Sequence, residues 1–514
     1  MQSKIDPHRV VFKWIPYDQF NDIKELGKDE FTTVYSAIWK DGPLQYDYKE
    51  YVYSRNKNIK VNLKLYNSRN NINNVLNKVT YLFDNKYDEI IYGLSQYPHT
   101  KNYVIVFPDG YHCDKCGKEF EYKRYKWCKP CQINNLEKNF TNWSSGNENI
   151  DNLIQEMQSK ISSYEDIVFE WIPYDQFCNI KEIGKGGFSK IYSATWINGR
   201  LMYDISRCEY IRCSITIALK CLNNSQNISN EFLNEVKAYS VELDIYNFRN
   251  KRLHTYGISQ NPDTKEYIMV LKYAKGGDFN CWMKKNYKNL NWSNKLDVLS
   301  NIIIGLEEIH QNKMVHHMGL CGYVNNIDQN SIYGVMPYVA PEVLKGKPYT
   351  RAADIYSFGM IMYFVATGKQ PFVNYAHDEV LVLNICNGNR PEINVPEAPK
   401  CYIDLMKQCW DSNPNNRPIA TKVLEFIDFF IGSYKNVVND ALDFKKVRLS
   451  EIEKQFKAAE EYRKSRLILY NENERSTIHP QAFYTSRLLN QFTKDLPKND
   501  NINNNSVEVI DFTK

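Results

Sequence analysis

Three features of the chain predict an α+β protein built on a duplicated, strand-rich unit. Residues 11–44, VFKWIPYDQFNDIKELGKDEFTTVYSAIWKDGPL, return at 168–201 as VFEWIPYDQFCNIKEIGKGGFSKIYSATWINGRL, a constant offset of 157 at which 21 of 34 positions are identical. A repeat this long is a duplicated structural unit. Both copies alternate strand-like runs with turn signals around one helical segment, NNVLNKVTYLF in the first and NEFLNEVKAYS in the second. They then part company. After Phe107 the first copy runs into PDGYHCDKC, whereas the second continues for about 160 residues.

A chain of 514 residues, 43% hydrophobic and 14% aromatic, is long enough for two or three packed domains. A net charge of +5 over that length implies no polyanionic partner by itself. The opening MQSKIDPHRV lacks the apolar core of a secretory signal, and the longest apolar stretch, near Met360–Ala366, is too short to span a bilayer. These features set the expectation of a soluble cytoplasmic protein, with the nucleus also open to it and its thiols mostly reduced. Short Asn runs at 70–74 and 503–505 reflect base composition and carry no functional reading.

The first copy is expected over 11–110. VNLKLYNS at 61–68 parallels IALKCLNN at 217–224, so Lys64 matches Lys220. Where the second copy has Gly186 and Gly187, the first has Asp29 and Glu30, whose charge opposes a phosphate. Lys78 stands where the second copy has Glu235.

A zinc element is expected over 111–133. Cys113-x2-Cys116 and Cys128-x2-Cys131, 11 residues apart, have the pattern of four tetrahedral thiolate ligands. Gly117 suits the tight knuckle that wraps such a pair. His112 reads as a surface neighbour that the ion does not need. The intervening GKEFEYKRYKW mixes basic and aromatic residues, a pattern that also fits nucleic acid, but a small zinc loop needs aromatics for its own core. The zinc reading is preferred.

Ile150, Leu153, Ile154, Met157 and Ile161 fall at helical spacing and predict a linker helix over 147–163. The second copy is expected over 168–432, followed over 433–514 by a charged helix with a solvated face and a disordered end.

Within the second copy, Ile183-Gly184-Lys185-Gly186-Gly187-Phe188 lies between two strand-like runs. Glycines at such a turn let backbone N–H groups reach phosphate oxygens. Lys220 follows on a later strand and Glu235 in a helical segment, and a buried cation that fixes phosphates needs such a carboxylate. With these residues the segment resembles the small lobe of a eukaryotic protein kinase. The later motifs follow in the family's order: GVMPYVAPEV (334–343), DIYSFGMIMYFVATGKQPF (354–372) and CWDSNPNNRP (409–418), most similar to the tyrosine-kinase-like group.

The resemblance implies a two-lobed fold, with a β-rich small lobe and a helical large lobe. It also implies an ATP site formed by Ile183, Gly184, Gly186, Gly187, Ile191, Lys220, Glu235, Leu271 as gatekeeper and Tyr273 in the hinge. Trp292–Gln311 is then the helix before the catalytic loop. Asp354 braces that loop, Arg417 pairs with Glu342, and His316 and Gly319 are remnants of the HRD and DFG motifs.

The departure is as specific as the match. IHQNKMVHHMGLCGYV (309–324) keeps a histidine at His316 and the end of a DFG-type triplet at Met318-Gly319, but everything between except His317 is gone. The catalytic Asp, the metal-binding Asn and the DFG Asp are therefore missing, so no catalytic residue is assigned. Three readings stand at this point. The first is a pseudokinase with weak ATP binding that works through protein partners. The second is an active Ser/Thr or Tyr kinase whose reading frame has lost a short exon. The third is a zinc-dependent interaction or nucleic-acid-binding protein carrying a kinase remnant.

Overall fold

The computed structural model describes residues 12–47, 51–66, 75–77, 79–80, 91–120, 125–185, 189–222, 225–226, 232–233, 236–237, 255–317, 320–323, 332–435, 443–469 and 478–494. The chain divides into two compact units, Met1–Trp171 with Asn198–Ile215, and Ile172–Ile197 with Thr216–Lys514.

The first unit is built on a sheet of β1 (Lys13–Trp14), β2 (Phe20–Lys28), β3 (Thr32–Trp39), β6 (Ile59–Tyr66), β7 (Gly93–Gln96) and β8 (Tyr103–Pro108). A separate hairpin, β4 (Leu44–Asp47) and β5 (Val52–Arg55), stands apart from it. The sheet order is β2-β3-β6-β8-β7-β1. Alternate residues of β3 and β6 point to one side, so Ala37, Trp39, Val61 and Leu63 meet Val104 and Val106 in a single core.

The cysteine element follows, leading into helices α1 (Lys129–Lys138) and α2 (Glu148–Ser159) and the short strand β9 (Glu170–Trp171). Asn147 caps α2 by accepting the Asn149 N–H. The helix buries Ile150, Leu153 and Ile154 as the spacing predicts, but Gln158 rather than Met157 completes the stripe, donating to the Phe169 carbonyl at 2.6 Å. Ile161 lies beyond the helix end and is buried.

The second sheet repeats the first. Strands β10 (Phe177–Lys185), β11 (Ser189–Asp204), β12 (Glu209–Leu222), β13 (Thr255–Gln260) and β14 (Tyr267–Lys272) run in the equivalent order, β10-β11-β12-β14-β13. The duplication read from sequence is thus a duplication of topology. One expectation needs correcting. The outer halves of β11 and β12, Asn198–Ile215, group with the first unit, so 168–432 is not one continuous body. Tyr203 of this hairpin shares a core with Trp127, Ile161 and Val168, and Arg212 pairs with Glu170 at 2.5 Å.

The rest of the second unit is helical: α3 (Phe279–Asn286), α4 (Trp292–Gln311), α5 (Pro341–Leu344), α6 (Arg351–Thr367), α7 (Glu379–Cys386), α8 (Lys400–Cys409) and α9 (Ala420–Lys435). Helix α6 is buried along nearly its whole length, which is why its sequence is apolar all round. Together with sheet β10–β14 this makes an α+β fold of two lobes.

The helix after Lys435 is a correction. α10 (Asp443–Leu469) is charged, but it is not merely solvated: Phe456 is fully buried against Trp292 and Phe430, with Ile452 and Ala459 beside it. Glu460 accepts the Trp292 N–H at 3.1 Å and Arg463 donates to the Lys288 carbonyl at 3.1 Å. Residues 495–514, expected to be disordered, lie outside the described residues. Among the described residues no helix is long and apolar enough to cross a membrane.

Candidate functional site

The first candidate site lies in the β-rich lobe of the second unit. The turn between β10 and β11 is closed by the pairs Gly184↔Ile191 and Lys185↔Lys190. Gly186, Gly187 and Glu235 fall outside the described residues. Among the described residues, a Cβ on Gly184 would meet only Ile191, at 3.8 Å. Ile183 is exposed and Ile191 half-buried. Lys220 is buried on β12, whose neighbour β14 carries the buried Leu271 as its penultimate residue. The register pairs Lys220 with Met269, and Ala218 with Leu271. Tyr273, half-buried, follows β14 on the segment joining the lobes. The sheet therefore brings the glycine turn, the cation and the lobe-joining segment onto adjacent strands.

In the helical lobe the family's braces stand in place. Glu342 at the start of α5 and Arg417 form a buried two-pronged pair, at 2.6 and 2.8 Å. Arg417 also donates to the carbonyls of Asp411 and Ala352, each at 2.8 Å. Asp354, in the first turn of α6, accepts the His316 N–H at 3.0 Å, and His310 Nε2 lies 2.8 Å from the same oxygen.

Asp354 braces a strand. His316 belongs to β15 (Met314–His317), which pairs antiparallel with β16 (Leu320–Tyr323), Met314 opposite Tyr323 and His317 opposite Leu320. Only Met318 and Gly319 separate the two strands. They, like the His317 side chain, lie outside what the structure describes. From Met314 to Tyr323 the sequence contains no carboxylate and no amide side chain. Mg2+ prefers oxygen ligands of those kinds.

In the first copy the equivalent turn has changed its chemistry. The Asp29 carboxylate accepts the N–H groups of Phe31 and Thr32, at 2.8 and 2.6 Å, and the Thr32 hydroxyl at 2.9 Å. These bonds, the Phe31 N–H foremost, hold its pKa below the ordinary carboxylate value, and the nearby Lys64 charge adds to the effect. A tethered anion thus takes up the amides that a phosphate would need. Gly27, the counterpart of Gly184, serves a different close approach: a Cβ there would fall 2.0 Å from the Cys116 carbonyl oxygen. The cysteine knuckle lies flush against this turn. Lys78 is outside the described residues.

Cys113, Cys116, Cys128 and Cys131 form the second candidate site. Their sulfurs all lie within 4.8 Å of one another, with Cys113–Cys131 at 3.7 Å and Cys116–Cys128 at 3.5 Å. Four thiolates bound at about 2.3 Å in a tetrahedron sit about 3.8 Å apart, whereas a disulfide needs about 2.05 Å. The spacing fits a metal set. Gly117 turns the first knuckle at φ +69°, and the Lys115 N–H points at the Cys113 sulfur at 3.4 Å. Cys128 occupies the N-cap position of α1 without a side-chain cap bond, and Cys131 lies in the first turn, where burial pushes its thiol up to about 12. A hydrogen bond from Cys128 draws the Cys113 thiol down to about 5, and the same contact pushes Cys128 up.

Phe120 packs on Cys113 and Cys128, in keeping with an aromatic core for the element. His112 is not the surface residue that its neighbourhood suggested: it is buried, edge-on to Phe107 at 5.4 Å. It is not one of the grouped ligands.

A family model described as "Protein tyrosine and serine/threonine kinase" matches residues 177–322 and 317–427, two segments that meet at the β15–β16 hairpin. Three proteins of Dictyostelium discoideum are similar. Cyclic GMP-binding protein C is 26% identical over 48% of this chain and 11% of its own length. The probable serine/threonine-protein kinase qkgA is 26% identical over 52% of this chain and 20% of its own. The RGS domain-containing serine/threonine-protein kinase A is 25% identical over 41% of this chain and 19% of its own. The chain therefore spans a fifth or less of the length of these relatives. The family match, the two-lobed fold and the Glu342–Arg417 and Asp354 braces agree, and the chain is a member of the eukaryotic protein kinase superfamily.

Proposed function

We propose that the second unit is a pseudokinase of the tyrosine-kinase-like group, a cytoplasmic signalling module that binds proteins rather than transferring phosphate. The observation that carries this reading is the β15–β16 hairpin. It joins the strand before the catalytic loop to the strand after the metal-binding loop with two residues between, where a working enzyme needs an Asp, an Asn and a second Asp. The Asp354 brace, which elsewhere in the family supports the catalytic loop, here supports the first strand of that hairpin.

The adenine side of the site supports residual nucleotide binding. Gly184 at the end of β10 and the buried Lys220 remain. Without metal ligands such binding is weak, because Lys220 and backbone amides offset little of the phosphate charge. Alongside this module, the four cysteines hold a structural Zn2+. The ion ties the knuckle to the first-copy turn, which uses Asp29 in place of a phosphate and serves packing rather than nucleotide.

Thermal melts test the nucleotide reading. Stabilisation follows RT ln(1 + [L]/Kd), so millimolar ATP against a millimolar Kd gives about 0.4 kcal/mol. The expected result is a small shift, equal with and without Mg2+, that Lys220→Met abolishes and Lys64→Met leaves unchanged. A large Mg2+-dependent shift, or phosphotransfer that disappears in Lys220→Met, would sink the pseudokinase reading.

A further inference from the structure

Both copies carry a hairpin at the same place in the repeat, β4–β5 in the first and Asn198–Ile215 in the second, and both belong to the first unit. At the offset of 157, Leu44, Tyr46, Tyr53 and Arg55 match Leu201, Tyr203, Tyr210 and Arg212. The conformations agree as well as the residues. Tyr51 and Cys208 hold equivalent left-handed positions, at φ 57° and 53°. Arg55 donates to the Gly42 carbonyl at 3.3 Å, and Arg212 to the Gly199 carbonyl at 2.9 Å. The tyrosine rings meet edge-on in both hairpins, Tyr46–Tyr53 at 5.0 Å and Tyr203–Tyr210 at 5.5 Å between centroids.

What covers the two hairpins differs. The second is capped: Trp127 Nε1 donates to the Tyr210 hydroxyl, the Tyr203 hydroxyl donates to the Lys126 carbonyl, and Glu170 pairs with Arg212. Ile161 and Val168 complete that core. In the first hairpin Tyr53 is 40% exposed, Tyr51 76% and Val52 48%, whereas Tyr203 is buried and Tyr210 and Cys208 are half-buried. Among the described residues no indole donates to the Tyr53 hydroxyl and no carboxylate pairs with Arg55. Lys13 stands where the second copy has Glu170. Burial foremost, and then the Arg55 charge, hold the Lys13 pKa below the usual lysine value, with Asp41 offsetting part of the shift. Two like charges thus accompany an exposed tyrosine, where the second copy has an ion pair and a covered one.

We propose that the face of β4–β5 around Tyr53 and Arg55 is a docking site for a protein segment that presents a tryptophan beside acidic side chains. The covered hairpin of the second copy supplies the pattern. The partner's indole N–H donates to the Tyr53 hydroxyl, as Trp127 does to Tyr210, and its carboxylate neutralises Arg55 and Lys13, the part that Glu170 plays for Arg212. Tyr51 and Val52, in place of Cys208 and Glu209, add apolar contact that the second hairpin lacks. Aromatic anchors beside an arginine are the composition that carries most of the energy of protein interfaces. The chain's own Trp127 is fully buried and committed to Tyr210, so the occupant is a different segment. The surface requires neither the nucleotide site nor the metal.

The test uses the full-length chain and a labelled synthetic peptide with one central tryptophan between glutamates. The chain should bind it about fivefold more tightly than the same peptide with alanine for tryptophan, the loss typical of one interface anchor, and Tyr53→Ser should cost about as much. Lys13→Glu installs the second copy's pairing with Arg55. It should abolish the preference for glutamate over glutamine in the peptide and leave the dependence on tryptophan. Hydrogen exchange over Leu44–Asp47 and Val52–Arg55 should be unchanged in both variants, which separates loss of the surface from loss of the hairpin. A chain that binds none of the peptides, or binds them all alike, would overturn the proposal. So would tryptophan-dependent binding that persists in Tyr53→Ser.

Discussion

Arg417→Met should lower the stability of the helical lobe by about 3–5 kcal/mol, the cost typical of stranding one member of a buried ion pair. The Arg417 side chain is fully buried and that of Glu342 is 10% exposed, so water cannot take over the lost contacts. Its guanidinium makes two bonds to Glu342, one to the Asp411 carbonyl and one to the Ala352 carbonyl, and lies over the Tyr356 ring at 5.2 Å. The substitution keeps most of the volume and leaves a carboxylate and two carbonyls without those donors. Lysine cannot substitute, because a single ammonium does not reproduce the planar fork.

A chain of two units does not melt as one transition, so the readout should be local. Hydrogen exchange along α6 should report the full loss. Glu342→Leu/Arg417→Met, which removes the stranded charge, should recover part of it. A change under 1 kcal/mol at α6 in Arg417→Met would show that the pair is a bystander to the stability of the lobe.

The residues that sequence reading placed well are those whose role is fixed by backbone topology. The repeated segment became the same strand order in both copies, β2-β3-β6-β8-β7 and β10-β11-β12-β14-β13. The helix Trp292–Gln311 appears with the bounds that the motif order gave it, and Arg417 pairs with Glu342, whereas Asp354 accepts the His316 N–H of strand β15.

What escaped were matters of side-chain direction and of partners distant in sequence. Asp29 was legible as a charge opposing phosphate, but not as one that turns back onto the amides of Phe31 and Thr32. His112 followed a buried strand end rather than the polar run after it. The docking of α10 did have a signal: Ile452, Phe456 and Ala459 fall at helical spacing inside the charged run, a narrow stripe that average charge conceals. The pairing of Arg487–Leu488 with Tyr333–Gly334 had none, because two-residue strands joined through backbone bonds require no hydrophobic pattern. Nor could the sequence show that Tyr203 and Tyr210 of the second copy's hairpin pack with Trp127, since that match lies in shape rather than period.

Removal of zinc should have the largest effect of all on the first unit. Structural Zn2+ in small cysteine sites contributes about 10–16 kcal/mol at neutral pH, more than an element this small gains from its own core. The purified protein should carry about one Zn2+ per chain, and Cys128→Ser should reduce that sharply, because three thiolates hold a structural ion less well than four. The damage should spread along named contacts. Trp127, adjacent to Cys128, is fully buried and donates to the Tyr210 hydroxyl at 3.3 Å, while Tyr203 donates to the Lys126 carbonyl at 3.1 Å. Loss of the metal should therefore loosen Asn198–Ile215 as well as the knuckle, and chelation should raise hydrogen exchange there and at Gly27.

Acid should act in the same direction. The ligands bind as thiolates, so protons compete with the metal, and occupancy should fall as pH drops below neutrality. Elemental analysis after purification without chelators is the deciding measurement. A chain with no zinc, whose exchange at 198–215 is unmoved by Cys128→Ser, would leave the four sulfurs as a packed thiol cluster. The knuckle would then rest on its approach to Gly27, on Phe120 and on the Lys60–Asp114 ion pair.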